Sequence, residues 1–340
     1  MGPQINHHQE LLATWRALGG TEANSGWQVI PISPDGPCRF LAGRHFPGNE
    51  ESLLVGFTTM RVLPAINLPQ GRGFHVGKVS LSGREADRTW VALSREDSGS
   101  LELFTMMATD VITTIQRYPK VNEERIFDLF LSRIRAWQNF MRENRDHMLS
   151  PEAEVGLYGE LYFLQSLIMA GLPANTAVEG WEGPLDGIQD FSFGTGAIEV
   201  KSTVAMGTFP AKIGSLEQLD DSLIRPIFLA GIRLELSAYG ETLPERAASV
   251  HNCLRGDSAA QSMLEDKLLR AGLLPGAEDR YTRKFNHLDT RLLLITEGFP
   301  RLTRGNIANE IRRAHYEIDL DLISSQNIDM SSVMTELGMI

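Results

Sequence analysis

Apolar residues recur at helical spacing at the start of the chain, where Leu11, Leu12, Trp15 and Leu18 predict a helix over residues 7–18. The pattern then changes to short extended runs broken by glycine and proline, at residues 27–33, 39–45, 52–57, 74–81 and 89–94. Runs of that length and spacing predict a mostly antiparallel β unit. Helical periodicity returns over about 101–118 and 124–143, and these two helices are expected to close a β-rich N-terminal domain of residues 1–145.

A second domain is expected over 146–340. Ser150 suits an N-cap, Pro151 the first helical position, and Glu152 and Glu154 the positive end of a helix. The apolar stripe of that helix runs through Leu157, Leu161, Leu164 and Ile168, with Glu160 set among apolar neighbours, and ends near Gly171 and Pro173. A turn-rich lead, residues 181–187, precedes a hairpin over 190–201, and an extended run follows over 202–213. Ser215 and Gln218 have capping-box spacing and predict another helix start. A buried strand is expected at 227–236, helices at 243–254 and 258–271, and strands at 291–296 and 315–322.

The chain has 340 residues and an ordinary globular composition, enough for two domains with a sizeable core. Cys38 and Cys253 stand far apart and suggest neither a disulfide framework nor a zinc knuckle. No apolar run reaches membrane-spanning length, and the start MGPQINHHQELLATW has no basic region followed by an apolar core, so a cytoplasmic protein without a membrane partner is expected. Net charge is −11, which argues against broad phosphate coverage but leaves room for a local basic groove. Gly73–Lys78 looks like a phosphate loop only at a glance: its spacing is wrong and no Ser or Thr follows the lysine.

The chemistry concentrates in the hairpin. Phe191 and Phe193 alternate with Asp190 and Ser192, and beyond a Gly-Thr-Gly turn Ile198 and Val200 alternate with Glu199 and Lys201. Strand side chains alternate between faces, so the apolar set goes one way and an Asp/Glu/Lys cluster the other. Two carboxylates can hold a divalent cation and an ammonium can orient an attacking water, which outlines phosphodiester hydrolysis. The bland alternative is a surface cluster of paired charges on an exposed hairpin face. A similar string, Asp257 followed by Glu265 and Lys267, lies in a helical pattern, where residues two apart do not share a face; those two are expected to be solvated surface charges. Asp186, in a turn-like Pro-Leu-Asp-Gly, competes with Asp190 as the first acid.

Gly159-Glu160-Leu-Tyr-Phe-Leu, then Gln189-Asp190-Phe, then Ile198-Glu199-Val200-Lys201-Ser202 together resemble the PD-(D/E)XK restriction-endonuclease-like superfamily. More narrowly they resemble its uncharacterised bacterial "putative PD-(D/E)XK family member" family, over most of the chain. Gln189 stands where the literal motif has proline. The resemblance implies an α/β (α+β) fold, a mixed central sheet flanked by helices. It implies that Asp190, Glu199 and the Val200 carbonyl bind Mg²⁺, with Mn²⁺ able to substitute, that Glu160 completes the ligation or holds a water beside it, and that Lys201 positions the nucleophile. Gln218 resembles a glutamine that some members place nearby. The function implied is a Mg²⁺-dependent endonuclease cutting DNA, in bacterial restriction or phage defence. Expected partners are nucleic acid, proteins of a defence system and a second copy of the chain. The alternative is a catalytically silent subunit that keeps the fold to dock proteins or nucleic acid. Candidate nucleic-acid contacts are the basic, aromatic stretch 280–287, Arg301, Arg304, Arg312 and Arg313.

Overall fold

The computed structural model describes residues 6–20, 25–32, 38–60, 68–142, 149–185 and 187–339. Ser33, Glu143, the 145/146 boundary and Asp186 lie outside the described residues. The chain divides into two compact units, Met1–Asp146 with Leu274–Gly276, and His147–Leu273 with Ala277–Ile340. Among the described residues no helix is long and apolar enough to cross a membrane.

The first unit opens with α1 (His7–Gly19), whose buried face is His7, Leu11, Trp15 and Leu18. Its strands are β1 (Gly26–Pro31), β2 (Arg39–Phe46), β3 (Glu50–Phe57), β4 (Gln70–Gly71), β5 (Phe74–Val79) and β6 (Thr89–Arg95). They form one antiparallel sheet in the order β1-β2-β3-β6-β5-β4. The stretch resembling a phosphate loop is β5 with its entering turn, and its Phe74 and Val76 are core residues. Helices α2 (Leu101–Gln116) and α3 (Glu123–Arg142) follow. They are tied by a buried acid: Asp110 Oδ2 accepts from Arg133 Nε at 2.5 Å and from Trp137 Nε1 at 2.7 Å.

The second unit begins with α4 (Pro151–Met169), where Ser150 Oγ accepts from the Ala153 N–H at 3.2 Å and proline occupies the first turn. After it come α5 (Ala174–Gly180), β7 (Phe191–Phe193), β8 (Gly196–Thr203), β9 (Pro210–Ile213) and β10 (Ile227–Glu241). Then follow α6 (Leu243–Cys253), α7 (Ser258–Ala271), β11 (Phe285–Leu294), β12 (Tyr316–Asp319) and α8 (Met330–Glu336). The central sheet has the order β11-β10-β8-β7 and is mixed: β8 and β10 are parallel, the other pairs antiparallel. Strands β9 and β12 make a separate antiparallel pair. With eight helices and these sheets among the described residues, the fold is mixed α+β.

Strand alternation sorts the two faces of the sheet. Ile198, Val200, Phe228, Ala230 and Ile232 join the core built with α4, while Ile227 and Leu229 join a second core with Phe209, Ala211, Ile318 and Leu320. Both faces are therefore covered, and Glu199 lies under the second cover rather than on an exposed hairpin face. Helix α4 approaches β8 closely at Gly159, where an added Cβ would lie 1.7 Å from Ser202 Oγ.

The structure differs from the sequence expectations in several places. No helix starts at Ser215: Gln218 Oε1 accepts from the Gly214 N–H at 2.7 Å and Ser215 Oγ from the Glu217 N–H at 3.3 Å, so side chains hold the backbone in turns instead. The extended run after Lys201 is broken, with β8 ending at Thr203 and β9 starting at Pro210. Strand β10 runs on to Glu241, and β11 begins at Phe285, inside the stretch read as a basic surface.

Candidate active site

Glu160 comes from α4, Asp190 from the residue before β7, and Glu199 and Lys201 from β8. Continuing the β7–β8 register, in which Phe191 faces Ile198, sets Asp190 opposite Glu199. The Asp190 side chain turns along the edge of β8, and its Oδ2 accepts from the Val200 N–H at 2.7 Å. The N–H and C=O of one strand residue leave on the same side, so the Val200 carbonyl also faces this edge, where β7 has not yet begun.

The segment Trp181–Gly183 closes the site. Trp181 Nε1 donates to Glu160 Oε2 at 2.8 Å. The backbone N–H groups of Glu182 and Gly183 donate to the Asp190 carbonyl at 2.7 and 3.1 Å. Gly183 is needed for close approach, since a Cβ there would meet Glu160 Oε2 at 2.5 Å and Asp190 Oδ1 at 3.1 Å. Helix acid and strand acid thus converge on one glycine. Gln189 steadies the other flank, its buried amide donating to the carbonyls of Glu217 and Gln218, both at 3.2 Å.

The electrostatics are those of carboxylates withdrawn from water. Glu199 is fully buried, and burial first, then the charge of Asp190, pushes its pKa well above the carboxylate range against the pull of Lys201. Burial and Asp190 raise Glu160 to about 8, opposed by the Trp181 hydrogen bond and by Lys201. Asp190 is raised by burial, against Lys201 and the Val200 N–H. Burial works against the Lys201 ammonium, but Glu199 and Asp190 outweigh it and the shift is upward. Lys201 Nζ lies 2.5 Å from Glu199 Oε1 as a buried ion pair, and Glu199 Oε2 has no hydrogen-bond partner among the described residues.

The four predicted side chains therefore stand close enough to shift one another's ionisation. The other candidates lie differently. Gln218 is spent on the Gly214 turn. Lys267, expected to be solvated, is buried because α7 packs against α5 and the chain after it, and Glu265 pairs with His251 of α6 at 3.2 Å. In the stretch 280–287, Tyr281 and Phe285 are core residues and Arg283 pairs with Glu154 at 2.7 Å. Arg301 binds Asp221 at 2.7 Å and the Leu219 carbonyl, and Arg304 binds Glu217 at 3.1 Å. Arg312 and Arg313 are exposed. A cleft of about 700 Å³ runs past Arg301, Leu302 and Tyr316, and Tyr316 feels the charge of Lys201. The sequence does not single out Trp181 or Gly183 as site residues, and Gln189 enters only as the residue in place of the motif's proline; a tryptophan opening the turn just ahead of the hairpin is the signal for the closing segment.

Could a metal sit here? Among the described residues no group of three or more His, Cys, Asp or Glu side chains is spaced to enclose one. The donor set nevertheless suits a hard divalent cation: every candidate ligand is oxygen, and the buried Glu199 Oε2 has no hydrogen-bond partner among the described residues. Such an ion would be held by Asp190, Glu199, Glu160 and the Val200 carbonyl, once the carboxylates draw together.

A mixed α+β chain that gathers three acids and a lysine around a short hairpin fits the restriction-endonuclease-like class. The sequence model of the family described as "Putative PD-(D/E)XK family member" matches residues 11–321, and the chain belongs to that family. Membership points to nuclease-like function, and nucleases of this superfamily typically use divalent metals. No curated protein and no solved structure matches the chain.

Proposed function

We propose that the chain is a metal-dependent endonuclease hydrolysing phosphodiester bonds of DNA, working in bacterial restriction or phage defence. The observation that carries this reading is Glu199: a fully buried carboxylate paired with Lys201, its Oε2 without a hydrogen bond, beside two more acids. Burying even a paired charge is costly, and apolar residues of similar volume would serve stability as well or better. Asp190, Glu199, Glu160 and the Val200 carbonyl supply the ligand oxygens. A bound Mg²⁺ would lower the pKa of a water and offset charge on the phosphate. Lys201 keeps its proton at Nζ beside the acids and so acts as an electrostatic stabiliser and water-orienting group rather than a base.

The test is cleavage of plasmid and oligonucleotide DNA with Mg²⁺ or Mn²⁺. Lys201→Met keeps the apolar stem and removes the charge; it should retain metal and lose about 10²–10³ in rate. Lys201→Arg should restore only part, since a planar guanidinium offers its donors in another geometry. Wild-type cleavage by Lys201→Met would sink the assignment. The second reading, a silent docking subunit, is favoured by the net charge of −11 and by arginines already paired within the chain. Absence of both metal binding and cleavage in the wild type would establish it over the first.

A further inference from the structure

We propose that Trp181 is the positioning residue for Glu160 and that Lys267 fixes Trp181 in that place. The consequence for metal binding rests on the nuclease reading above.

Three independent contacts converge on Trp181. Its indole Nε1 donates to Glu160 Oε2 at 2.8 Å. Its backbone pairs as an isolated bridge with Phe191, the residue after Asp190. Its carbonyl accepts from Lys267 Nζ, which also donates to the carbonyls of Val178 at 2.8 Å and Glu179 at 3.0 Å. An ammonium has three donors, and here all three end on carbonyls at and just after the C-terminus of α5, where a cation also complements the helix dipole. Both side chains are buried, Trp181 completely.

The arrangement reaches further than packing. Indole is a donor only, so its N–H offers Glu160 Oε2 one fixed direction. That leaves Oε1 to meet a ligand. Trp181 is followed at once by Glu182 and Gly183, whose N–H groups hold the Asp190 carbonyl. One short segment thus sets the helix acid by a side chain and the strand acid by its backbone. Lys267 secures the segment from α7, and no residue of α7 touches the acids through any contact described among these residues.

The test begins without metal. The chain has five tryptophans and therefore five indole N–H signals in a nitrogen–proton correlation spectrum. Trp181→Phe identifies one of them by its loss. Glu160→Ala should shift that signal and speed its exchange with solvent, leaving the other four in place. Lys267→Met, with the other four signals reporting its fold, should move the same signal, and an unmoved signal would overturn the role of Lys267. An unmoved Trp181 signal in Glu160→Ala overturns the proposal, whatever the metal does.

Mn²⁺ alone is then titrated into the wild type and the variants. Removing a hydrogen bond to a carboxylate should weaken its binding about tenfold or more in Trp181→Phe. Glu160→Ala should cost at least as much, and Trp181→Phe added to Glu160→Ala should cost nothing further, because the two residues act through one contact. Additive losses would make Trp181 a packing residue only and overturn the positioning role. No Mn²⁺ binding by the wild type would defeat the nuclease reading instead, and the indole shift would then decide the Trp181–Glu160 pair by itself.

Discussion

Glu160 prefers its neutral form, because burial and the nearby Asp190 both oppose its charge. The sign of the stability effect follows. A glutamate of ordinary pKa 4.5 is raised to about 8 in the folded protein. Between those values the folded state binds the proton and the unfolded chain has released it, so stability falls as pH rises. This contribution is complete below 4.5 and lost by about pH 8. In chelator, the thermal midpoint should decline across that window. Glu160→Gln, neutral at every pH, should flatten the decline and melt higher than wild type near pH 8. An equal slope in both proteins would show that this carboxyl does not titrate as the site geometry requires. Lys201 has the opposite character: its raised pKa keeps it charged throughout the same window.

At the level of elements, Gly159 sets how near α4 comes to β8. Its missing Cβ is the space that Ser202 Oγ occupies, and the two atoms could not coexist at 1.7 Å. Gly159→Ala should lower stability to urea by about 1–3 kcal/mol, the usual cost of overpacking. Ser202→Gly in the same chain should recover much of the loss; no recovery would locate the strain elsewhere. Much of this architecture was readable from local pattern. The Ser150–Pro151 start of α4 depends on a few adjacent residues and is as the sequence predicts. The face shared by Glu199 and Lys201 follows from alternation alone. What alternation could not show is the cover over that face, since Ile318 and Leu320 come from a distant part of the chain. Helices α5 and α8, with seven residues each, are too short to carry a period. Lys267 shows the limit most clearly: its helical setting was legible, but its burial depends on carbonyls 86 to 89 residues away. The capping-box spacing at Ser215 misled because Gln218 bonds backward to Gly214.

For the molecule as a whole, charge is the governing quantity. A chain of net charge −11 that binds a polyanion must do so through a small patch. Arg301, Arg304 and Arg283 are already bound to acids, whereas Arg312 and Arg313 are exposed. Two to three phosphate contacts would give a slope of log affinity against log salt of about −2 to −3. Arg312→Ala and Arg313→Ala should each flatten that slope by about 1. A slope unchanged in both would place the nucleic-acid surface elsewhere.

The burial of Glu199 with Lys201 carries a cost in stability. Natural chains retain such groups where activity is selected at the expense of robustness, and substitutions that relieve them tend to be sturdier. A library of variants sorted only for survival after heating, with no enzymatic assay, should therefore accumulate joint neutral replacements of Glu199 and Lys201 ahead of changes at other buried positions. The molecule would mark its candidate site through the mutations that let it outlast its parent.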